Sequence, residues 1–252
     1  METIYFLVQQ TMLFSIPLLL VALGGMFSER SGVVNIALEG IMIIGAFTGI
    51  FFISRFGNLF SPTITLFIAI IISALSGLIF SLLHAYASIN MSADQVISGT
   101  ALNIFAPAFA IYVTRAIQVV QQISFVNNFR IESVPVLGNI PIIGNLLFKN
   151  AYITTYLGFI ILALSWFALY KTRFGLRLRS CGEHPQASDS VGINVYKMRY
   201  FGVAISGALA GIGGLVFVIP TSTNFNATVA GYGFLALAVL IFGQWKPIRI
   251  LY

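Results

Sequence analysis

The feature that most constrains this chain is a series of long runs almost free of charge. Residues 4–27 are interrupted only by Gln9, Gln10, Thr11 and Ser15, and residues 33–53 only by Asn35, Glu39 and Thr48. Residues 63–83 and 96–114 carry no charge, although the latter hold Asn103 and Pro107. Residues 151–170 and 200–220 complete the set. About 20 apolar residues carry a helix across the hydrocarbon core of a bilayer. A barrel strand would alternate apolar and polar residues over about ten positions, and these runs do not. The pattern predicts six spanning helices. A seventh apolar stretch, 231–245, is short and reads as a partial or re-entrant segment. Soluble domains are about a quarter charged. Here 8% of residues are charged and 58% are hydrophobic, too little polar surface to cover a soluble protein. A soluble enzyme and a disordered chain are excluded, and the single cysteine, Cys181, excludes a disulfide scaffold. The first run lacks the basic start of a cleaved signal peptide: its first charge is Glu2, and no Lys or Arg precedes Arg30. The expected fold is an all-α polytopic transmembrane bundle of six spanning helices plus a partial seventh.

The few charges are unevenly placed. Residues 171–199 hold Lys171, Arg173, Arg177, Arg179, Lys197 and Arg199 against Glu183 and Asp189. Cytoplasmic loops are enriched in Lys and Arg, so this loop is placed inside. Alternation then puts 28–32 and 88–94 inside, and the amino terminus, 54–61 and the long loop 115–150 outside. Within the basic loop, Pro185 suits the first position of a short helix and Gly192 suits the position that stops it. A short helix between basic flanks is a shape that docks into a partner. Topology and contacts to anionic lipid account for the net charge of +6, and nucleic acid is not implied.

Of the polar side chains inside the apolar runs, Glu39, Asn35 and Asn103 are the candidates for function. A carboxylate there is costly unless paired. The plain structural reading of Glu39 is a salt link to Arg30, its nearest basic residue in sequence, and the sharper one is a place on the substrate path. Asn35, four residues earlier, would share its helix face. Asn103, with Pro107 four residues on, is either an interhelical hydrogen-bonding amide or a pore-lining one. The small residues Gly202, Ser206, Gly207, Ala210, Gly211, Gly213 and Gly214 allow close helix packing. His84 and His184 have no ligand-spaced neighbours, so no metal is assigned. Walker A, HExxH and nucleophile-elbow patterns are missing from the sequence, so nothing in it supports catalysis.

The stretch Ser28-Glu29-Arg30-Ser31-Gly32-Val33-Val34-Asn35-Ile36-Ala37-Leu38-Glu39-Gly40 resembles the signature of permease subunits of bacterial ABC importers. The branch is the one that works with basic-membrane-protein-type lipoproteins and carries nucleosides. The Gly-Gly-Ile-Asp-Leu-Ser stretch of related ribose-type permeases is missing. Three further segments resemble the family in the same order: 94–103, 172–195 and 231–245. The resemblance implies a multi-pass protein of the bacterial plasma membrane and a pathway formed with a second permease subunit. It also implies delivery by a substrate-binding lipoprotein and drive by ABC ATPase subunits, which bind the ATP, so that this chain itself needs no cofactor. It makes 1–252 one transmembrane permease domain and makes Glu183, Pro185, Asp189 and Gly192 the residues of a cytoplasmic coupling helix. Asn35, Glu39 and Asn103 become the candidate substrate path. A neutral, flat nucleoside suits amides and aromatic rings; a ribose- or galactose-type sugar is the alternative. An ion-coupled carrier working alone is a third reading. The family usually continues with further spanning segments after the position of Trp245, so a C-terminal truncation is expected, and a non-functional remnant is a fourth reading.

Overall fold

The computed structural model describes residues 2–118, 120–126, 129–133 and 149–251. Ten helices carry the described fold. Six are long and apolar enough to cross a membrane: α1 (Glu2–Arg30), α2 (Leu38–Phe56), α3 (Pro62–Ile89), α4 (Gln95–Gln118), α5 (Ile153–Lys171) and α8 (Val195–Thr221). The basic segment forms α6 (Arg173–Glu183) and α7 (Pro185–Ser190), and the chain continues through α9 (Tyr232–Phe242) and α10 (Pro247–Leu251). Two small antiparallel pairs complete it: β1 (Ile123–Ser124) with β4 (Asn224–Phe225), and β2 (Arg130–Ser133) with β3 (Lys149–Tyr152). The six spans and the short seventh segment agree with the hydropathy reading. Half of the expected loop 115–150 lies outside the described residues.

The core sits on α8 and α2. Of their most apolar windows 78% and 72% is buried, against 17% for α4, which therefore lies at the periphery. The small-residue stripe of α8 is what lets it occupy the centre. A methyl on Gly211 would collide with the Ser73 backbone of α3, and one on Gly214 with the Met42 backbone of α2. Van der Waals packing of close backbones is the main attraction between helices in lipid. Leu20, Leu23, Met26, Leu38, Ile41, Met42 and Leu215 fill the surrounding space with side chains that are almost wholly buried.

Two ends of the bundle are distinct. At one, β1 pairs with β4 and the Ser54 hydroxyl donates to the Ser124 carbonyl at 3.0 Å. At the other, residues 28–32 pack on Gly182, and the Tyr200 hydroxyl donates to Asn90 Oδ1 at 2.6 Å. The basic segment and the turns at 28–32 and 88–94 thus share one end, as alternation requires.

Candidate substrate path and coupling face

The second span does not begin where its apolar run begins. Residues 33–37 are not α-helical, and α2 starts at Leu38 inside the bundle. Helix starts leave backbone N–H groups without intrahelical partners, and water is scarce at that depth. Side chains from elsewhere supply the partners. Gln95 Oε1 accepts from the Val34 N–H at 2.8 Å, and His84 Nε2 lies 3.0 Å from the Val34 carbonyl. A carbonyl only accepts, so Nε2 carries the proton and Nδ1 accepts from the Ser98 hydroxyl at 3.1 Å. Asn103 bonds twice: its Oδ1 accepts from the Gly40 N–H at 2.7 Å, and its Nδ2 donates to the Ile36 carbonyl at 2.9 Å.

The seventh segment repeats the device. After α8 the chain passes β4 and turns at Gly231, whose φ is +81°, into α9. The residue before α9 brings no capping side chain. Glu39, from the first turn of α2, supplies the cap: its carboxylate accepts from the Gly231 N–H at 2.9 Å and the Gly233 N–H at 2.6 Å. Two helix starts therefore meet inside the bundle, and one carboxylate lies between them. Negative charge is stabilised at a helix N-terminus.

This corrects two expectations. Glu39 makes no salt link to Arg30; the guanidinium of Arg30 lies 3.7 Å from Glu183 and donates to the Trp245 carbonyl at 3.2 Å. Asn35 does not share a helix face with Glu39, because Asn35 precedes the helix. Its Oδ1 accepts from the Ala37 N–H at 3.2 Å, and its Nδ2 donates to the Ser206 hydroxyl of α8 at 2.9 Å. Asn35 is fully buried and Glu39 nearly so, whereas Asn103 is partly exposed. Asn103 and Glu39 both act at the α2 start, Asn103 on the Gly40 N–H and Glu39 on the start of α9, while Asn35 is turned toward α8. His84 and Gln95 belong to the same network. The signal in the sequence was a lone imidazole in an otherwise apolar helix.

At the basic end, α7 has the boundaries expected of it. Pro185 takes its first position. Gly192, with φ +83°, closes it: the Gly192 N–H donates to the Asp189 carbonyl at 2.9 Å and the Ile193 N–H to the Ser188 carbonyl at 3.0 Å. Asp189 and Gly192 are exposed, and Pro185 is half-buried. Glu183 ends α6 with its side chain 69% exposed, so it stays open to a partner while facing Arg30. An apolar groove lined by Leu176, Ala187, Val191 and Ile193 runs beside α7. Helix α6 is capped by Thr172, whose hydroxyl accepts from the Gly175 N–H at 3.2 Å, and buries Leu178 and Cys181.

Residues 7–252 match the family described as the permease component of branched-chain amino acid transport systems. The chain belongs to this permease family. It is similar to the nucleoside ABC transporter permease protein NupC of Lactococcus lactis, with 44% identity covering 98% of this chain and 78% of that protein. It is also similar to the guanosine ABC transporter permease protein NupQ of Bacillus subtilis, with 45% identity covering 97% and 77%. A putative glucose ABC transporter permease protein, TsgC13 of Haloferax volcanii, is 30% identical over 93% of this chain and 69% of its own length. No solved structure matches. The permease is a multi-pass integral protein of the plasma membrane and a transport component, not an enzyme. As one component of a transport system, it works with an energising subunit and a binding protein.

Proposed function

We propose that this permease forms part of the pathway of an ABC importer for nucleosides. The observation that carries the reading is the 44% and 45% identity, over nearly the whole chain, to permeases named for nucleosides and guanosine. The geometry supports it in two places. The paired helix starts of α2 and α9 present backbone dipoles and the Asn103 amide at an interior point, the arrangement that discontinuous helices give transporter sites. With the Glu39 carboxylate engaged by the Gly231 and Gly233 N–H groups, the partly exposed Asn103 amide suits a polar substrate without net charge. In this reading Glu39 and Asn35 shape the path by holding the backbone, and Asn103 is the path residue open to substrate.

In the same proposal residues 1–252 are one permease domain, with 171–199 cytoplasmic and 115–150 on the outer side. ATPase subunits, which bind the ATP, seat on α7 and its groove, where Glu183, Pro185, Asp189 and Gly192 form the contact. A second permease subunit completes the pathway, a lipoprotein delivers substrate, and lipid surrounds the exposed apolar faces. The test is ATP-dependent uptake of labelled guanosine by the reconstituted complex. Uptake resistant to excess ribose and glucose is the expected result. Complete competition by either sugar, or uptake driven by an ion gradient without ATPase subunits, would overturn it. Substituting Glu183 and Asp189 together lowers uptake per ATP hydrolysed in a chain that still inserts.

A further inference from the structure

The turn at 28–32 holds more than the end of one helix. Gly32, with φ +89°, closes α1 as Gly192 closes α7: the Gly32 N–H donates to the Glu29 carbonyl at 3.0 Å and the Val33 N–H to the Ser28 carbonyl at 3.2 Å. Its backbone is wedged between two elements. A methyl on Gly182 of α6 would collide with the Arg30 carbonyl, and one on Gly202 of α8 would lie 2.5 Å from the Ser31 hydroxyl. Its two charged side chains both reach Trp245. The indole N–H donates to the Glu29 carboxylate, and the Trp245 carbonyl accepts from Arg30. Gln244 and Trp245 have φ of +52° and +54°, two consecutive left-handed residues that are not glycine. Such backbone persists only where its surroundings over-determine it, and it clusters at switch regions. Here the Trp245 N–H donates to the Leu240 carbonyl at 3.3 Å within the turn, and Glu29 and Arg30 grip Trp245 from α1.

Trp245 stands just past the end of α9. That helix has 11 residues, so it is about 16 Å long. Its far end is the start that Glu39 caps. One chain of contacts therefore runs from Glu183 through Arg30 and Trp245, along α9, to Glu39 and the start of α2. We propose that Arg30 is the positioning residue that transmits displacement of α6 and α7 to α9, and through α9 to the interior pair of helix starts. The proposal rests on the reading of α7 as the seat of the ATPase subunits. Arg30 suits the task because its planar fork serves two acceptors at once, one on each moving part. Trp245 is gripped at side chain and backbone together, so it cannot rotate away from a pull.

The experiment uses the complete transporter. Spin labels on Ala187 in α7 and on Phe242 in α9, each paired with a reference label on Leu59, report distances with and without trapped ATP. In the wild type both distances shift. In Arg30→Gln the Ala187 distance still shifts, the Phe242 shift is lost, and substrate moved per ATP falls at least tenfold. Arg30→Lys, which keeps the charge beside Glu183, recovers part of both. Trp245→Phe removes the Glu29 bond without changing charge and gives an intermediate loss, about threefold, so the inference stays testable if Arg30→Gln does not assemble. A wild-type Phe242 label that ignores ATP overturns the proposal. So does an Arg30→Gln or Trp245→Phe complex with wild-type shifts and wild-type transport per ATP. A wild-type complex that shifts as described but moves no nucleoside refutes the substrate reading and leaves this transmission standing.

Discussion

Helices that start at the basic end of the bundle and helices that start in its interior are capped in opposite ways. For α4, α6 and α8 at the basic end the cap is written one residue before the helix; α7 opens on Pro185 with no side-chain cap. Asp94 Oδ1 accepts from the Val96 and Ile97 N–H groups at 2.8 and 3.0 Å, Thr172 caps α6, and Asn194 Oδ1 accepts from the Lys197 N–H at 2.9 Å. In the interior the residues before α2 and α9 are Ala37 and Gly231, which offer no side-chain bond. Their caps come from Asn103 and Glu39, 63 and about 190 residues away in sequence. The difference follows from solvent. At an aqueous end, water replaces a lost cap at small cost; in the interior, nothing does. The borrowed caps therefore join parts of the fold, whereas the local ones only finish a helix.

Breaking each kind of cap sharpens the contrast. The largest effect is expected at Glu39→Ala, which leaves the Gly231 and Gly233 N–H groups without the carboxylate. Hydrogen bonds to charged groups are worth about 1.5–3 kcal/mol each, so thermal unfolding in detergent should show a loss on the order of 3 kcal/mol or more. Glu39→Gln, with an acceptor but no charge, should lose roughly half as much. A Glu39→Ala protein that melts with the wild type would erase the distinction between the two kinds of cap. Asn103→Ala comes next. It removes one donor and one acceptor, at about 2 kcal/mol in all. Asn103→Asp keeps the bond from Gly40 but loses the one to the Ile36 carbonyl, so it should melt below the wild type.

Asp94→Ala should cost only about 1 kcal/mol, the ordinary value of an N-cap. Its signature is faster hydrogen exchange confined to the first turn of α4; faster exchange in α2 as well would show that this cap is not local. The smallest effect is expected at Asn194→Gly, a few tenths of a kcal/mol, within the error of the melting curve. A clear drop in melting temperature there would mean that Asn194 holds more than its own helix.

The same contrast decides what was legible in the sequence. The six spans, the short seventh and the bounds of α7 follow from local chemistry: apolar runs, a proline at a helix start, a glycine at a helix end. The break in the second span was not legible. Residues 33–37 are as apolar as the helix after them, and what keeps them out of the helix is the set of partners on α3 and α4. The pairing of Glu39 failed for a related reason. Arg30 is its nearest cation in sequence, but the turn at Gly32 and the non-helical lead separate them, and Arg30 faces Trp245 and Glu183 instead. Helix α6 was hidden because a dense set of charges reads as loop. Its local signals were the Thr172 cap and the three-residue spacing of the buried Leu178 and Cys181. The candidate residues Asn35, Glu39 and Asn103 were visible as polar groups at depth, but the sequence could not show that each is first engaged by backbone or by a neighbouring helix.

The borrowed caps also order the birth of the fold. A ribosome releases the second span before it makes His84, Gln95 and Asn103, so the non-helical lead into α2 gains these partners only once the third and fourth spans exist. For α9 the order is reversed: Glu39, which caps it, is made before Gly231. Helix α9 therefore docks onto a socket whose residues were all made before it.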